Sequence, residues 1–85
     1  MTLRVSADSW IEIFDPSGRV VEQGLLRAGQ RRAYASSDVG RLVLGNAAAV
    51  EVELAGKPLN LEPFSRANVA RFTLSSDGSI APISP

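Results

Sequence analysis

The chain has 85 residues, of which nine are basic and nine acidic, and 45% are hydrophobic. This suffices for one small domain with a thin core, one that buries roughly 60–65% of its unfolded surface, and the cancelling charges argue against a general electrostatic hold on nucleic acid or anionic lipid. Histidine and cysteine are both absent, which removes disulfides, thiol nucleophiles, zinc sites and every histidine-based acid–base scheme, so no cofactor or metal is expected.

Apolar periodicity favours strands nearly throughout. Leu3, Val5 and Ala7 alternate with Thr2, Arg4 and Ser6, a half-buried strand with a wet face. Ser9 to Phe14 is the next strand, with Ile11 and Ile13 on one face and Trp10, Glu12 and Phe14 on the other. Asp15-Pro16-Ser17-Gly18 is a turn: Asp caps it, Pro presets φ and Gly takes the left-handed position. Val20 to Leu26 should return antiparallel, with Gly24 marking a bulge or a close backbone approach.

Ala28-Gly29-Gln30 turns the chain into a short strand, Arg31 to Ala35, bearing exposed arginines. Leu42-Val43-Leu44 follows a loop and stops at Gly45-Asn46, both tolerant of positive φ. Ala49 to Leu54 alternates cleanly, Val50, Val52 and Leu54 inward and Glu51 and Glu53 outward. Gly56-Lys57-Pro58 reads as a turn, Leu59 to Leu61 as a brief extended piece and Glu62-Pro63-Phe64 as a single helical turn. Val69 to Leu74 closes the fold, with Ala70, Phe72 and Leu74 inward.

Seven or eight short strands with frequent turn signals predict an all-β fold: a small antiparallel β-sandwich, Ig-like or small barrel-like, with no long helix. Residues 1–74 form the expected domain. Residues 75–85 read as a flexible tail, although Ile80 and Ile83 offer a way to dock it on a sheet edge. The longest apolar run, Ala47-Ala48-Ala49-Val50, falls far short of the roughly 20 residues that cross a bilayer. Met1 to Val5 lacks the apolar stretch of a secretory signal, so an export signal for a domain working outside the cytoplasm is expected upstream.

The ordered landmarks are Ser6-Ala7-Asp8-Ser9-Trp10-Ile11-Glu12-Ile13, Asp15-Pro16-Ser17-Gly18, Gly24-Leu25-Leu26-Arg27-Ala28-Gly29, Leu44-Gly45-Asn46-Ala47, Val50-Glu51-Val52, Gly56-Lys57-Pro58-Leu59-Asn60-Leu61 and Val69-Ala70-Arg71-Phe72-Thr73-Leu74. Over residues 3 to 74 this series resembles the C-terminal domain of RodZ-type bacterial cell-shape proteins. The resemblance implies a single-pass membrane protein whose cytoplasmic helix-turn-helix domain binds the actin-like MreB filament. It places this β-domain on the periplasmic, extracytoplasmic side of the inner membrane, among the peptidoglycan elongation proteins. Two positions depart from the family's habit. Asp38-Val39-Gly40-Arg41 lacks the proline that such domains often carry before the strand leading to the Leu-Gly-Asn-Ala turn, and Asn60 stands where aspartate is common.

Each candidate site has a plainer structural use beside the functional one. Trp10, with Glu12 and Phe14, makes either an aromatic platform for a sugar or partner or, as a strand apolar on both faces would have it, part of the core; the sequence favours core. Arg31 and Arg32, with Arg4 and Arg41, make either a carboxylate-binding patch or solvated surface charge, and the second is favoured. Glu51 and Glu53 read as a wet face rather than an acid–base pair, for want of a cleft. Asn46 presents an amide to a ligand or completes a tight turn, and the turn is favoured. Asn60 and Arg71 read as polar staples between loop and sheet. Lys57 is the sole partner for a nucleophilic serine and lies in a hydrated turn, so no enzyme is expected.

The leading expectation is thus a non-catalytic interaction domain of a RodZ-type scaffold, its surface drawn from Trp10, Glu12, Arg31, Arg32, Tyr34 and Asn46. Its partners would be proteins of the elongation machinery, with no nucleic acid contacted. The alternative is a carbohydrate-binding module for peptidoglycan, resting on Trp10 with Tyr34 and Phe64. The domain is expected to be monomeric, with Arg31 to Ala35 as a charged edge strand that resists self-pairing.

Overall fold

Side chains on a strand point alternately to its two faces, and here the longer strands each turn apolar side chains to one of them. The computed structural model describes residues 1–75 and 77–83. The chain runs through β1 (Thr2–Val5), β2 (Ser9–Phe14), β3 (Val20–Leu26), β4 (Arg31–Ala33) and β5 (Arg41–Gly45). It continues through β6 (Val50–Leu54), β7 (Lys57–Leu59), β8 (Ser65–Arg66), β9 (Val69–Leu74) and β10 (Ile80–Pro82). Single 3-10 turns occupy Ser36–Asp38, Ala47–Ala49 and, as the sequence predicts, Glu62–Phe64.

All strand pairings are antiparallel. One sheet has the order β4-β1-β6-β7, the other β10-β9-β5-β2-β3, and the short β8 joins β9. β8 and β10 share the outer edge of β9, taking Val69–Ala70 and Phe72–Leu74 respectively. Two separate sheets make this a sandwich rather than a barrel. Between them lie Leu3, Val5, Val50 and Val52 from the first sheet, opposed by Ile11, Ile13, Leu42, Leu44 and Phe72 from the second. Each such side chain contributes about 1.5–3 kcal/mol by leaving water. Phe64 closes one end of this core, its ring 5.5 Å from that of Phe72.

Several boundaries differ from expectation. Ile80–Pro82, in the stretch read as a flexible tail, forms β10, and Ile80 packs against the core. The turn leading into it is held by Asp77, whose Oδ1 accepts from the Ser79 N–H and hydroxyl. Ser76, Ser84 and Pro85, covered by the same expectation, lie outside the described residues. Gly24 marks neither bulge nor close approach: Ile11 pairs with it in continuous register, the bulge falls instead beside Ile13 and Phe14, and a Cβ at Gly24 would meet nothing within 4 Å. Lys57 and Pro58 belong to a strand, because the turn is made one residue earlier by Ala55 and Gly56, at φ 53° and 76°.

Two further details anchor the turns. Asp15 Oδ1 accepts from the Ser17 hydroxyl at 2.6 Å and from the Ser17 and Arg19 N–H groups at 2.9 Å. These bonds, the Ser17 hydroxyl first, hold the Asp15 carboxyl below its usual range. Gly40 then seats this hairpin: its N–H donates to Phe14 O, its carbonyl accepts from Leu74, and a Cβ there would lie 2.7 Å from Pro16 Cα.

Gly40→Ala should therefore cost about 1–3 kcal/mol, because backbone on the Pro16 side must move; urea denaturation measures it. Ala55→Asn should act oppositely. Alanine at left-handed φ is strained, and an Asn-Gly pair suits a turn with two positive φ values, so a gain of about 1 kcal/mol is expected in the same assay.

Candidate interaction surface

With Ile11 and Ile13 turned into the core, β2 must present Trp10, Glu12 and Phe14 to the outside. Trp10 is 47% exposed. This overturns the favoured core reading, for a physical reason: the sandwich has two layers, and nothing among the described residues covers the outer face of this sheet. Register then builds the surface in rows across the strands. The first row is Leu25, Trp10, Gly45 and Val69. A Cβ at Gly45 would lie 3.3 Å from Trp10 Cβ, so glycine makes room for the indole. The second row is Gln23, Glu12, Val43 and Arg71, with Gln23 Nε2 donating to Glu12 Oε2 at 2.7 Å. The third is Val20, Phe14, Arg41 and Thr73, where the Arg41 guanidinium lies 4.2 Å from the Phe14 ring centroid.

The exposed large hydrophobic residues Trp10, Val20, Val21 and Leu25 all belong to β2 and β3. The opposite face of the sandwich is different. There Arg31, Arg4 and Glu51 form one row, and Ala33, Thr2, Glu53 and Pro58 the next. One face is thus apolar with scattered arginines, the other short, polar and charged. Such asymmetry points to the first as the contact surface, since apolar groups grouped on an otherwise wet sheet mark binding sites.

The arginines proposed as one patch are dispersed. Arg31 and Arg4 lie on the charged face and Arg41 on the apolar one. Arg32 turns the other way: its Nε donates to Glu22 Oε2 at 3.1 Å, while the Tyr34 hydroxyl donates to Glu22 Oε1. Glu22 sits on β3, the edge of one sheet, and Arg32 on β4, the edge of the other. The three side chains therefore clasp the open side of the sandwich. As a half-exposed ion pair the Arg32 contact is worth about 1 kcal/mol or less. Burial first, and then the bond to Glu22, push the Tyr34 phenol above its usual 10.0.

The family model of the RodZ C-terminal domain matches residues 2–73. The chain belongs to the RodZ C-terminal domain family. No solved structure matches it significantly. In this RodZ-type domain the departures at Asn60 and before Leu42 have local explanations. Asn60 Oδ1 accepts from the Glu62 N–H at 3.1 Å, the bond an aspartate would make. Before Leu42, Val39 is buried and Gly40 packs on Pro16.

Asn46 has φ 56°, and both ends of its amide are engaged, with Nδ2 donating to Asp8 O at 3.1 Å and Oδ1 accepting from Asn68 Nδ2 at 3.0 Å. It ties loops together rather than facing a ligand. Tyr34 and Phe64, offered with Trp10 as sugar-stacking groups, are both partly buried against the core. Arg71 is no staple but points outward beside Val43. Glu51 and Glu53 line an open groove of about 690 Å³ with Glu62, Pro58 and Leu59, which does not close around them as an acid–base cleft would. Sequence reasoning missed Glu22, Val20, Val21 and Leu25. The run Val20-Val21-Glu22-Gln23-Gly24-Leu25-Leu26 carries no clean alternation from which to read its faces.

Tyr34→Phe should lower stability by about 1–2 kcal/mol at neutral pH, because Glu22 loses a donor. The folded state holds the phenol proton more tightly than the unfolded chain does. Its contribution is therefore complete below pH 10.0 and is lost progressively as pH rises from there through the raised folded value. Urea midpoints of the native chain and the variant should converge above pH 10 and stay apart below it.

Proposed function

We propose that this chain is the non-catalytic interaction domain of a RodZ-type membrane scaffold, acting on the extracytoplasmic side of the inner membrane. There it helps couple the MreB cytoskeleton to the peptidoglycan elongation machinery and so to cell shape. The match over residues 2–73 carries this reading. The surface adds the mode of action: the outer face of β2, β3, β5 and β9 docks a protein whose complementary patch is apolar with an acidic rim. Apolar Leu25, Trp10, Val43 and Val69 form its middle, and Arg41, Arg66 and Arg71 outnumber Glu12 around it. Aromatic and arginine side chains on one patch are the usual composition of binding hot spots. A non-catalytic role is consistent with the absence of histidine and cysteine.

The test uses the full-length protein in cells. Trp10→Ala with Leu25→Ala should disturb cell shape and recruitment of elongation proteins while leaving the domain folded, since both side chains are about half exposed. Arg4→Ala with Glu51→Ala, on the charged face, should leave both unchanged. Removal of the whole domain without effect on shape or recruitment would refute the proposal. Tight binding of peptidoglycan fragments to Trp10, with no protein partner, would replace it by the carbohydrate-binding reading.

A further inference from the structure

An edge strand offers unpaired N–H and C=O groups to any other strand unless charge, proline or short length prevents it. Among the described residues, three of the four sandwich edges are protected in this way. β4 is three residues long and carries Arg31 and Arg32, so two copies would oppose like charges. β7 has three residues with Pro58 at its centre. The remaining edge of the larger sheet is divided between β8, of two residues, and β10, of three with Pro82. Proline removes a ladder donor and confines a strand to unpaired positions.

β3 has none of these three guards, and its one irregularity is a bulge that leaves Val21 as the extra residue opposite Ile13 and Phe14. It is seven residues long, contains no proline and no basic residue, and its one charge, Glu22, is engaged by Arg32 and Tyr34. The expectation of a monomer rested on the arginine-bearing edge at Arg31 to Ala35; β3 is a second edge, and a longer one.

We propose that β3 pairs antiparallel with β3 of a second copy of this chain, about a two-fold axis at Gln23. That register is the one its sequence favours. It sets Val21 opposite Leu25 of the second copy, two side chains that are 42% and 48% exposed in the single chain. It sets Glu22 opposite Gly24 of the second copy, where a Cβ would find nothing within 4 Å, so the clasp is left in place. Gln23 meets Gln23, and within β3 no like charges are opposed; just beyond its ends Arg19 faces Arg27 of the second copy, whose charge is paired with Asp8 at 3.3 Å. Moving the axis to Glu22 would set two carboxylates face to face. Moving it to Gly24 would put Glu22 against Leu26 and Gln23 against Leu25. The paired edges would also join the two Trp10 rows into one apolar band, since Trp10 is the cross-strand neighbour of Leu25. An edge of about 23 Å gives a small interface of the transient class, so association at high-micromolar concentration is expected. Because it needs no other protein, this inference stands or falls apart from the scaffold reading.

The chain has no cysteine, so Gln23→Cys introduces a single thiol. Cross-strand Cβ atoms about 4.5–5.5 Å apart are near disulfide geometry. Mild oxidation of the purified chain should link Gln23→Cys into dimers about tenfold faster than Arg31→Cys, the control on β4. Sedimentation of the native chain should show a monomer–dimer equilibrium, and Val21→Lys and Leu25→Lys, each folded by circular dichroism, should shift it to monomer. Equal linking rates for the two cysteine variants would overturn the proposal, as would a native chain that stays monomeric throughout. A dimer untouched by both lysine variants would do the same.

Discussion

Burying Ile11 and Ile13 decides most of what this domain can do. They are neighbours of opposite parity to Trp10, Glu12 and Phe14 on a six-residue strand, and a strand cannot bury one set without exposing the other. Because β2 lies between β5 and β3, the same parity passes across the sheet. Leu42 and Leu44 go inward while Arg41 and Val43 go outward, and on β9 Phe72 goes inward while Arg71 goes outward. The outer surface is a consequence of core packing, yet its content is not what packing requires. A solvated sheet face is served well by threonine, lysine and glutamate, as the opposite face of this sandwich shows with Thr2, Arg4, Glu51 and Glu53. Tryptophan, leucine and valine in the same role are what the proposed docking of a protein partner asks for.

The two sheets are joined by more than their core. Glu22, Arg32 and Tyr34 bridge the side where β3 and β4 run as edges. Asn46 and Asn68 link the loops at Asp8 and Ala48 on another side. Such polar ties are individually small, but they fix how the sheets sit on one another, and with that the spacing of the rows on the outer face. Two residues expected to meet a partner, Arg32 and Asn46, turn out to hold the surface in shape from behind. Their chemistry is that of ligand binding, and here the ligands are other parts of the chain.

The all-β architecture was legible in the sequence because alternation is strong in Thr2–Val5, Val50–Leu54 and Val69–Leu74 and because the Asp15-Pro16-Ser17-Gly18 turn is explicit. Faces were legible wherever alternation held. They were not on Val20–Leu26, where apolar residues stand at both parities around a bulge. For Trp10, sequence established which residues share its face but not whether a further layer covers them. That depends on how many sheets the chain can form, a global property of 85 residues. The turn at Ala55 is legible only one residue late, and that at Ala67 not at all, because alanine at φ 53° carries no left-handed signal. The tie at Glu22 joins residues ten and twelve positions apart on different sheets, a proximity created only by the crossing of the chain between layers.

Whether an apolar sheet face is left open around Trp10 can be read on the unlabelled chain, because it contains one tryptophan. Emission of the folded domain at low concentration, with acrylamide quenching, reports directly on that side chain. Red-shifted emission and quenching close to that of the denatured chain are expected. A blue-shifted band resistant to acrylamide would contradict an open face, placing Trp10 inside the core and removing the proposed surface.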